Sequence, residues 1–231
     1  MYDLVDDLIS KKISMVFKEN FETLINHQQQ IEKIDGDIVE CGCWRGGFSI
    51  FLSKLFPEKN IWVSDSFQGF QPLENAKYEY TNERHTPFMN HNSVGPLSIS
   101  FNETYNNFID YGLEQDINDG RIQFLQGYVK ETTDPDICKI KNISLLRIDV
   151  DAYSATLEVL DNLYTKVTPG GYIIFDDSCL TECRDAIRSF FKKHALDIPL
   201  FHPTDSVELD IFSSYTLDDS GFPPGCFLIK P

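Results

Sequence analysis

Asp149, Asp176 and Asp177 stand at the ends of two apolar runs, and they carry the chemistry most open to reading in this chain. "LLRIDVDAYSAT" begins at Leu145 and "GGYIIFDDS" at Gly170, and each is a β-branched stretch that stops on acid. A buried parallel strand has this form when its carboxyl end opens into a site, and ligands of open α/β sheets bind at those ends. Carboxylates gathered there repel one another and resist joint ionisation unless a cation sits between them. Asp149, Asp176 and Asp177 are therefore predicted to converge on a hard divalent metal such as Mg2+. A single strand-end Asp is commonly a turn or helix-cap residue, and Asp177 ahead of "SCLTECRDAI" also suits a cap. Acid at two neighbouring strand ends is harder to explain that way.

A second candidate lies in "ECGCWRGG", which puts Glu40 at the end of an apolar run and follows it with Gly42, Gly46 and Gly47. Glycines there permit a tight turn and close approach of backbone to a ligand, but their spacing departs from the GxGxxG of dinucleotide sites. The acid discriminates further: at a strand end it would repel a pyrophosphate and attract the ammonium and sulfonium charges of S-adenosylmethionine. Asp65, at the end of "NIWVSD", is placed to accept hydrogen bonds from ribose hydroxyls. The structural alternatives are a surface charge for Glu40 and a cap of the turn "DSFQG" for Asp65. Trp44 and Arg45 are placed to touch the cofactor, with packing under the helix the equal alternative for Trp44. Arg147 is expected to point away from Asp149 and to serve as a structural ion-pair partner.

These positions need strands alternating with helices. Apolar residues recur at helical spacing from Leu4 to Ile34, which predicts one or two amphipathic helices before the sheet. Strand and helix then alternate: "DIVEC" and "FSIFLSKLF", "NIWVSD", "ISFNETYNNFIDYGL", "RIQFLQG", "ISLLRID" and "SATLEVLDNLYTKV", "GYIIFDD" and "CRDAIRSFFKKHAL". That order implies an α/β fold with a mostly parallel sheet and helices on both faces. A terminal hairpin ending in "CFLIK" is expected to add antiparallel edge strands. Gln68 to Pro96 is polar, aperiodic and long for a connection, and reads either as a lid over substrate or as a disordered insertion.

Composition narrows the partners. With 20 basic and 36 acidic side chains the net charge is −16, which disfavours nucleic acid and anionic membrane surfaces and suits neutral or cationic small molecules. No apolar run approaches the roughly 18 to 20 residues of a spanning helix, and "MYDLVDDLIS" lacks a signal-peptide layout, so a cytoplasmic location is expected. The six cysteines fall in no zinc-finger or CxxC pattern and read as reduced thiols.

The runs "DIVECGCWRGGFSIFL", "IWVSDSFQGF", "ISFNETYNNFIDYGL", "RIQFLQGYVKETT" and "LLRIDVDAYSATLEVLDNLYTKVTPGGYIIFDD" resemble the macrocin-type (TylF/MycF-like) sugar O-methyltransferase family, in collinear order from about Gly36 to Phe191. The resemblance implies a Rossmann-like class I methyltransferase fold with a seven-stranded sheet, as a single domain over 1–231 with N-terminal helices in 1–34 and a lid-like insertion over 68–96. It implies S-adenosylmethionine and Mg2+ as cofactors and a hydroxyl of a sugar-containing small molecule as acceptor. Glu40, Gly42, Asp65 and Ser66 match cofactor-binding positions, and Gly127 and Tyr128 match a segment that flanks the adenine. Asp149, Asp176 and Asp177 match the metal carboxylates. Asp151 matches a second acidic position in a motif where the family usually has Asp-Gly-Asp; here Val150 replaces that Gly, so the local turn is expected to differ. Asp149 is the favoured general base, with Asp151 next and the lid residues His85 and His91 behind. A homodimer joined by the N-terminal helices is expected. The rival readings are a catechol-like small-molecule O-methyltransferase, a nicotinamide-dependent oxidoreductase, and a non-catalytic cofactor-binding protein.

Overall fold

The structure, a computed structural model, describes residues 1–71, 77–78, 97–203, 208–209 and 225–231. The predicted lid over 68–96, with His85 and His91, therefore lies largely outside the described residues.

Two helices, α1 (Tyr2–Ser10) and α2 (Lys18–Glu32), precede the alternating part. It runs β1 (Asp37–Cys41), α3 (Gly47–Leu55), β2 (Ile61–Asp65), α4 (Phe101–Asp110), α5 (Glu114–Asn118), β3 (Ile122–Gln126), α6 (Val129–Thr132), β4 (Ile143–Ile148), α7 (Tyr153–Leu163), β5 (Val167–Phe175) and α8 (Thr181–His194). Short strands β6 (Leu200–Phe201) and β7 (Glu208–Leu209) and the C-terminal β8 (Cys226–Ile229) complete it. The described strands form one eight-stranded sheet in the order β3-β2-β1-β4-β5-β8-β6-β7. Pairing is parallel from β3 through β5, and β8 runs antiparallel to both β5 and β6. The eighth strand, against seven expected, is the two-residue β7. The expected antiparallel strands are present, with β6 and β7 paired at the edge, but β8 itself lies inside the sheet, and the apolar, buried Cys226, Phe227 and Leu228 suit a strand covered on both faces. The helices α5 and α6 are too short for a helical period to register in the sequence.

Strand alternation divides the core in two. Val39, Leu146, Ile148, Ile173 and Phe175 face one side, against Leu157 and Leu160 of α7 and Ile187 and Phe190 of α8. Ile38, Leu145 and Ile174 face the other, against Phe21 and Leu24 of α2 and Phe48 and Phe51 of α3. Each such fully buried side chain contributes about 1.5–3 kcal/mol relative to exposure, which is why β1, β4 and β5 carry nearly unbroken apolar runs. The helix α4 begins at Ser100, whose side chain accepts from the Glu103 N–H. All six cysteines are free. No helix among the described residues is long and apolar enough to cross a membrane.

Candidate active site

Every predicted site residue within the described residues lies at or just beyond the carboxyl end of β1, β2, β3, β4 or β5, the edge where such sheets hold ligands. A cavity of about 200 Å3 opens there. Its walls are Glu40, Cys43, Trp44, Gly47 and Phe48 on one side and Asp149, Asp151, Asp176, Asp177 and Cys179 on the other. The α1–α2 connection, Ile13 to Phe17, closes over it. A larger open depression of about 610 Å3 lies at the opposite end of the strands, around Asp35, Asp37, Lys59 and Asn142; it is a solvated trough with none of the converging groups.

The glycine loop is held from several directions. Gly42 has φ +88°, and a Cβ there would stand 1.6 Å from the Asp149 carbonyl oxygen, so this position tolerates no side chain. Trp44 also takes a positive φ, 49°. Its N–H donates to Asp65 Oδ2 at 2.9 Å and its carbonyl accepts from Thr104 Oγ1 of α4 at 2.7 Å. Asp65 Oδ1 accepts the Phe67 N–H at 2.8 Å, so the turn-cap alternative describes half of this residue and the bridge to the loop the other half. Burial pushes the Asp65 carboxyl up while the backbone N–H groups that bind it act the other way. Ser66 closes the next turn, donating to the Gly69 carbonyl at 2.7 Å and accepting the Gln68 N–H at 3.0 Å. Gly127, at φ +142°, donates its N–H to the Asp65 carbonyl at 3.0 Å, which places Gly127 and Tyr128 beside the end of β2. Tyr128 forms the N-terminal boundary of α6.

Glu40 is not a surface charge. It is fully buried, and its carboxylate accepts from Ser49 Oγ of α3 and from Arg147 Nη1. Burial raises its pKa, and Arg147 and Ser49 oppose that rise. The pairing follows from register, since Glu40 and Arg147 are direct neighbours across β1 and β4 and so point to the same face. The expectation that Arg147 faces away from Asp149 is corrected for the same reason: residues two apart on a strand share a side. Arg147 Nη2 lies 2.8 Å from Asp149 Oδ2 and 2.7 Å from Asp176 Oδ1.

The acidic strand ends are brought together, with one redistribution. Asp149, Asp151 and Asp177 each offer a carboxylate oxygen within 4.8 Å of the others, and Asp177 Oδ2 accepts the Asp151 N–H at 3.0 Å. Asp176 instead turns to Arg147 and accepts from Asn20 Nδ2 of α2 at 2.9 Å. Both residues follow the end of β5 in a turn and line the same cavity, so the split is one of partners, Asp176 with Arg147 and Asn20 and Asp177 with Asp151. The positive φ of this turn, 52°, falls on Asp151 and not on Val150. Asp tolerates that conformation, so Val150 in place of the usual glycine is no obstacle, and it packs on the α7 and α8 core. Burial holds the Asp149 and Asp177 carboxyls well above the usual range and raises Asp151; Arg147 opposes the rise at Asp149, and acidic neighbours add to it at both Asp149 and Asp177. Clustered carboxylates so disfavoured as anions are a donor set suited to a hard divalent cation.

Sequence reasoning missed Asn20 and Ser49 as parts of this site. Ser49 had a signal, a polar residue inside the apolar "GFSIFL" of α3. Asn20 had none, because only the fold brings α2 over the end of β5.

A parallel sheet with an antiparallel C-terminal strand inserted beyond β5, and this loop-and-acid edge, define the class I S-adenosylmethionine-dependent methyltransferase fold. Within that class the chain belongs to the macrocin-O-methyltransferase (TylF) family, which it matches over residues 5–208. It is 32% identical over 168 residues to a mycinamicin III 3''-O-methyltransferase of Micromonospora griseorubida, covering 71% of this chain and 63% of that one. It is 31% identical over 172 residues to an 8-demethyl-8-(2,3-dimethoxy-alpha-L-rhamnosyl)-tetracenomycin-C 4'-O-methyltransferase of Streptomyces olivaceus, covering 72% and 62%. The alignments thus span less than two thirds of these relatives' length. The solved O-methyltransferase NovP superposes with a TM-score of 0.69 at 30% identity, covering 90% of this chain and 78% of that one.

Proposed function

We propose that this chain is an S-adenosylmethionine- and Mg2+-dependent O-methyltransferase that methylates a hydroxyl on a sugar moiety of a small molecule. The observation that carries the reading is the acidic trio Asp149, Asp151 and Asp177 facing the glycine loop across one cavity. The sugar acceptor is supported by relatives whose names specify methylation of mycinamicin III and of a rhamnosyl tetracenomycin.

In this reading Gly42, Asp65, Ser66, Gly127 and Tyr128 line the nucleoside, and Glu40 supplies the negative field beneath the loop. Asp149, Asp151 and Asp177 hold the metal, with Asp176 beside them on Arg147. The cofactor supplies an electrophilic methyl group, and a divalent cation supplies charge that orients a hydroxyl and eases its deprotonation. Asp149 takes the hydroxyl proton, with Asp151 as the alternative base. A base held beside the reacting hydroxyl contributes about a hundred- to ten-thousandfold. The chain further reads as one methyltransferase domain that works in the cytoplasm as a homodimer, the dimer supported by the exposed Tyr2, Ile9, Met15 and Phe17 near its N-terminus.

Calorimetric titration with S-adenosylhomocysteine, with and without Mg2+, tests the reading on wild type and on Asp149→Asn. Nucleoside binding to both, with Mg2+ affinity lost in the variant, supports it and leads to a screen of sugar acceptors for methyl transfer. Folded wild type that binds no nucleoside overturns it.

A further inference from the structure

Arg147 is 1% exposed and yet touches both halves of the site. One arm of its guanidinium reaches Glu40, under the glycine loop, and the other reaches Asp149 and Asp176 at 2.8 and 2.7 Å. Its Cζ lies 4.1 Å from the Phe48 ring centroid, so an aromatic face on α3 fixes the plane of the fork. The anchors extend outward. Glu40 is also held by Ser49 of α3, and Asp176 by Asn20 of α2.

Asp149 is the shared member, because it belongs at once to the acidic trio and to the partners of Arg147. We infer that Arg147 is a positioning residue that couples the halves, so that a cation held by Asp149, Asp151 and Asp177 tightens nucleoside binding at the glycine loop, and the nucleoside tightens cation binding in turn. The inference rests on the methyltransferase reading.

Buried carboxylates facing one another without a cation repel, and Asp149 draws on Arg147 Nη2 in competition with Asp176 while Nη1 serves Glu40, so its pull on the guanidinium is felt at Glu40. A cation that collects Asp149 with Asp151 and Asp177 relieves this competition. Arg147 is then committed to Glu40 and Asp176, and through Glu40 and Ser49 it steadies the start of α3 and the loop before it. Coupling between two sites is reciprocal for binding equilibria by thermodynamic necessity. A lysine could not substitute, since an ammonium is a point charge without the planar fork that spans three carboxylates.

The test measures the dissociation constant of S-adenosylhomocysteine with and without saturating Mg2+, and of Mg2+ with and without the nucleoside, in wild type and Arg147→Lys. In wild type both ratios are expected to agree and to reach about fivefold or more, the lower end of common site-to-site coupling. In Arg147→Lys the ratio is expected to fall to near one while each ligand still binds alone, an outcome that general loosening of the fold would not produce. If Arg147→Lys does not fold, Ser49→Ala replaces it. That variant cuts the link between Glu40 and α3 without touching a proposed metal ligand, and the same fall is expected. A wild type that binds both ligands with a ratio of one, or a variant that keeps the wild-type ratio, overturns the coupling alone. A folded wild type that binds neither ligand overturns the methyltransferase reading and the coupling with it.

Discussion

The two halves of the site satisfy their carboxylates in different ways. On the β1–β2 side, Asp65 accepts two backbone N–H groups and Glu40 accepts Ser49 and Arg147. On the β4–β5 side, Asp149, Asp151 and Asp177 face one another, and one backbone N–H, that of Asp151, stands among them. The first half is internally balanced and rigid, as a cradle for an extended nucleoside should be. The second carries more negative charge than its own donors offset, which suits a cation supplied from solution.

The seam between the halves is where the largest effect is expected. At Gly42 the β1 loop meets the end of β4, and an added Cβ would fall 1.6 Å from the Asp149 carbonyl oxygen at a φ of +88°. Gly42→Ala must therefore move backbone as well as adopt a strained conformation, and is expected to cost about 3–5 kcal/mol. Chemical denaturation reads this directly. A variant as stable as wild type would show that the halves are not in contact here.

Next comes the acidic half itself. Asp177→Asn keeps the size and the acceptor for the Asp151 N–H but removes one charge from the trio. Turnover on a sugar acceptor is expected to fall by about a hundredfold or more, with the Mg2+ requirement shifted to higher concentration and nucleoside affinity in the absence of metal unchanged. Equal Mg2+ dependence in variant and wild type would remove Asp177 from the cation site and make its strand-end position a matter of folding only.

Much of this contrast was legible in the residues. Runs that end on Asp65, Asp149 and Asp176 announce strand ends because an unpaired ionised carboxylate is costly to bury, and the alternation of strands with helices points to a parallel sheet. What the sequence concealed was how the acids divide. Asp176 and Asp177 are adjacent and chemically identical, and only the turn after β5 sends Asp176 to Arg147 and Asp177 to the trio. Arg147 looked peripheral until the register set it beside Glu40, although counting two residues from Asp149 already places both on one side. Asn20 reaches Asp176 across 156 positions of chain, a contact that no local pattern encodes.

The pH response of stability also separates the halves. The Asp149 and Asp177 carboxyls are held well above 3.8 in the folded protein, by burial and by neighbouring acids, against the pull of Arg147 on Asp149. Between 3.8 and those raised values the folded state binds more protons than the unfolded chain, so stability falls as pH rises through that window. Below 3.8 both states are protonated at these groups and the penalty is absent. Thermal melts of metal-free protein from acid to neutral pH are expected to show this component as a decline, and Mg2+ should reverse it progressively as the carboxyls ionise. Melting temperatures that do not respond to Mg2+ at neutral pH would mean the trio is balanced without a cation, and the contrast between the halves would collapse.

The smallest effect is expected in the balanced half, and its smallness is the point. Asp65→Asn leaves one side-chain oxygen to accept a backbone N–H, and sets an NH2 group against the other. Either the Trp44 or the Phe67 N–H thus loses its acceptor. Leaving one partly buried donor unsatisfied costs about 1–3 kcal/mol, and burial, which raises the Asp65 pKa, makes the neutral amide cheaper to hold there than the carboxylate. The two terms oppose, so a net loss of about 1 kcal/mol is expected by denaturation, with nucleoside affinity lowered several-fold and the Mg2+ dependence of turnover unchanged. A change in Mg2+ dependence would show that charge at Asp65 is felt across the cavity, and the two halves would then have to be treated as one electrostatic unit.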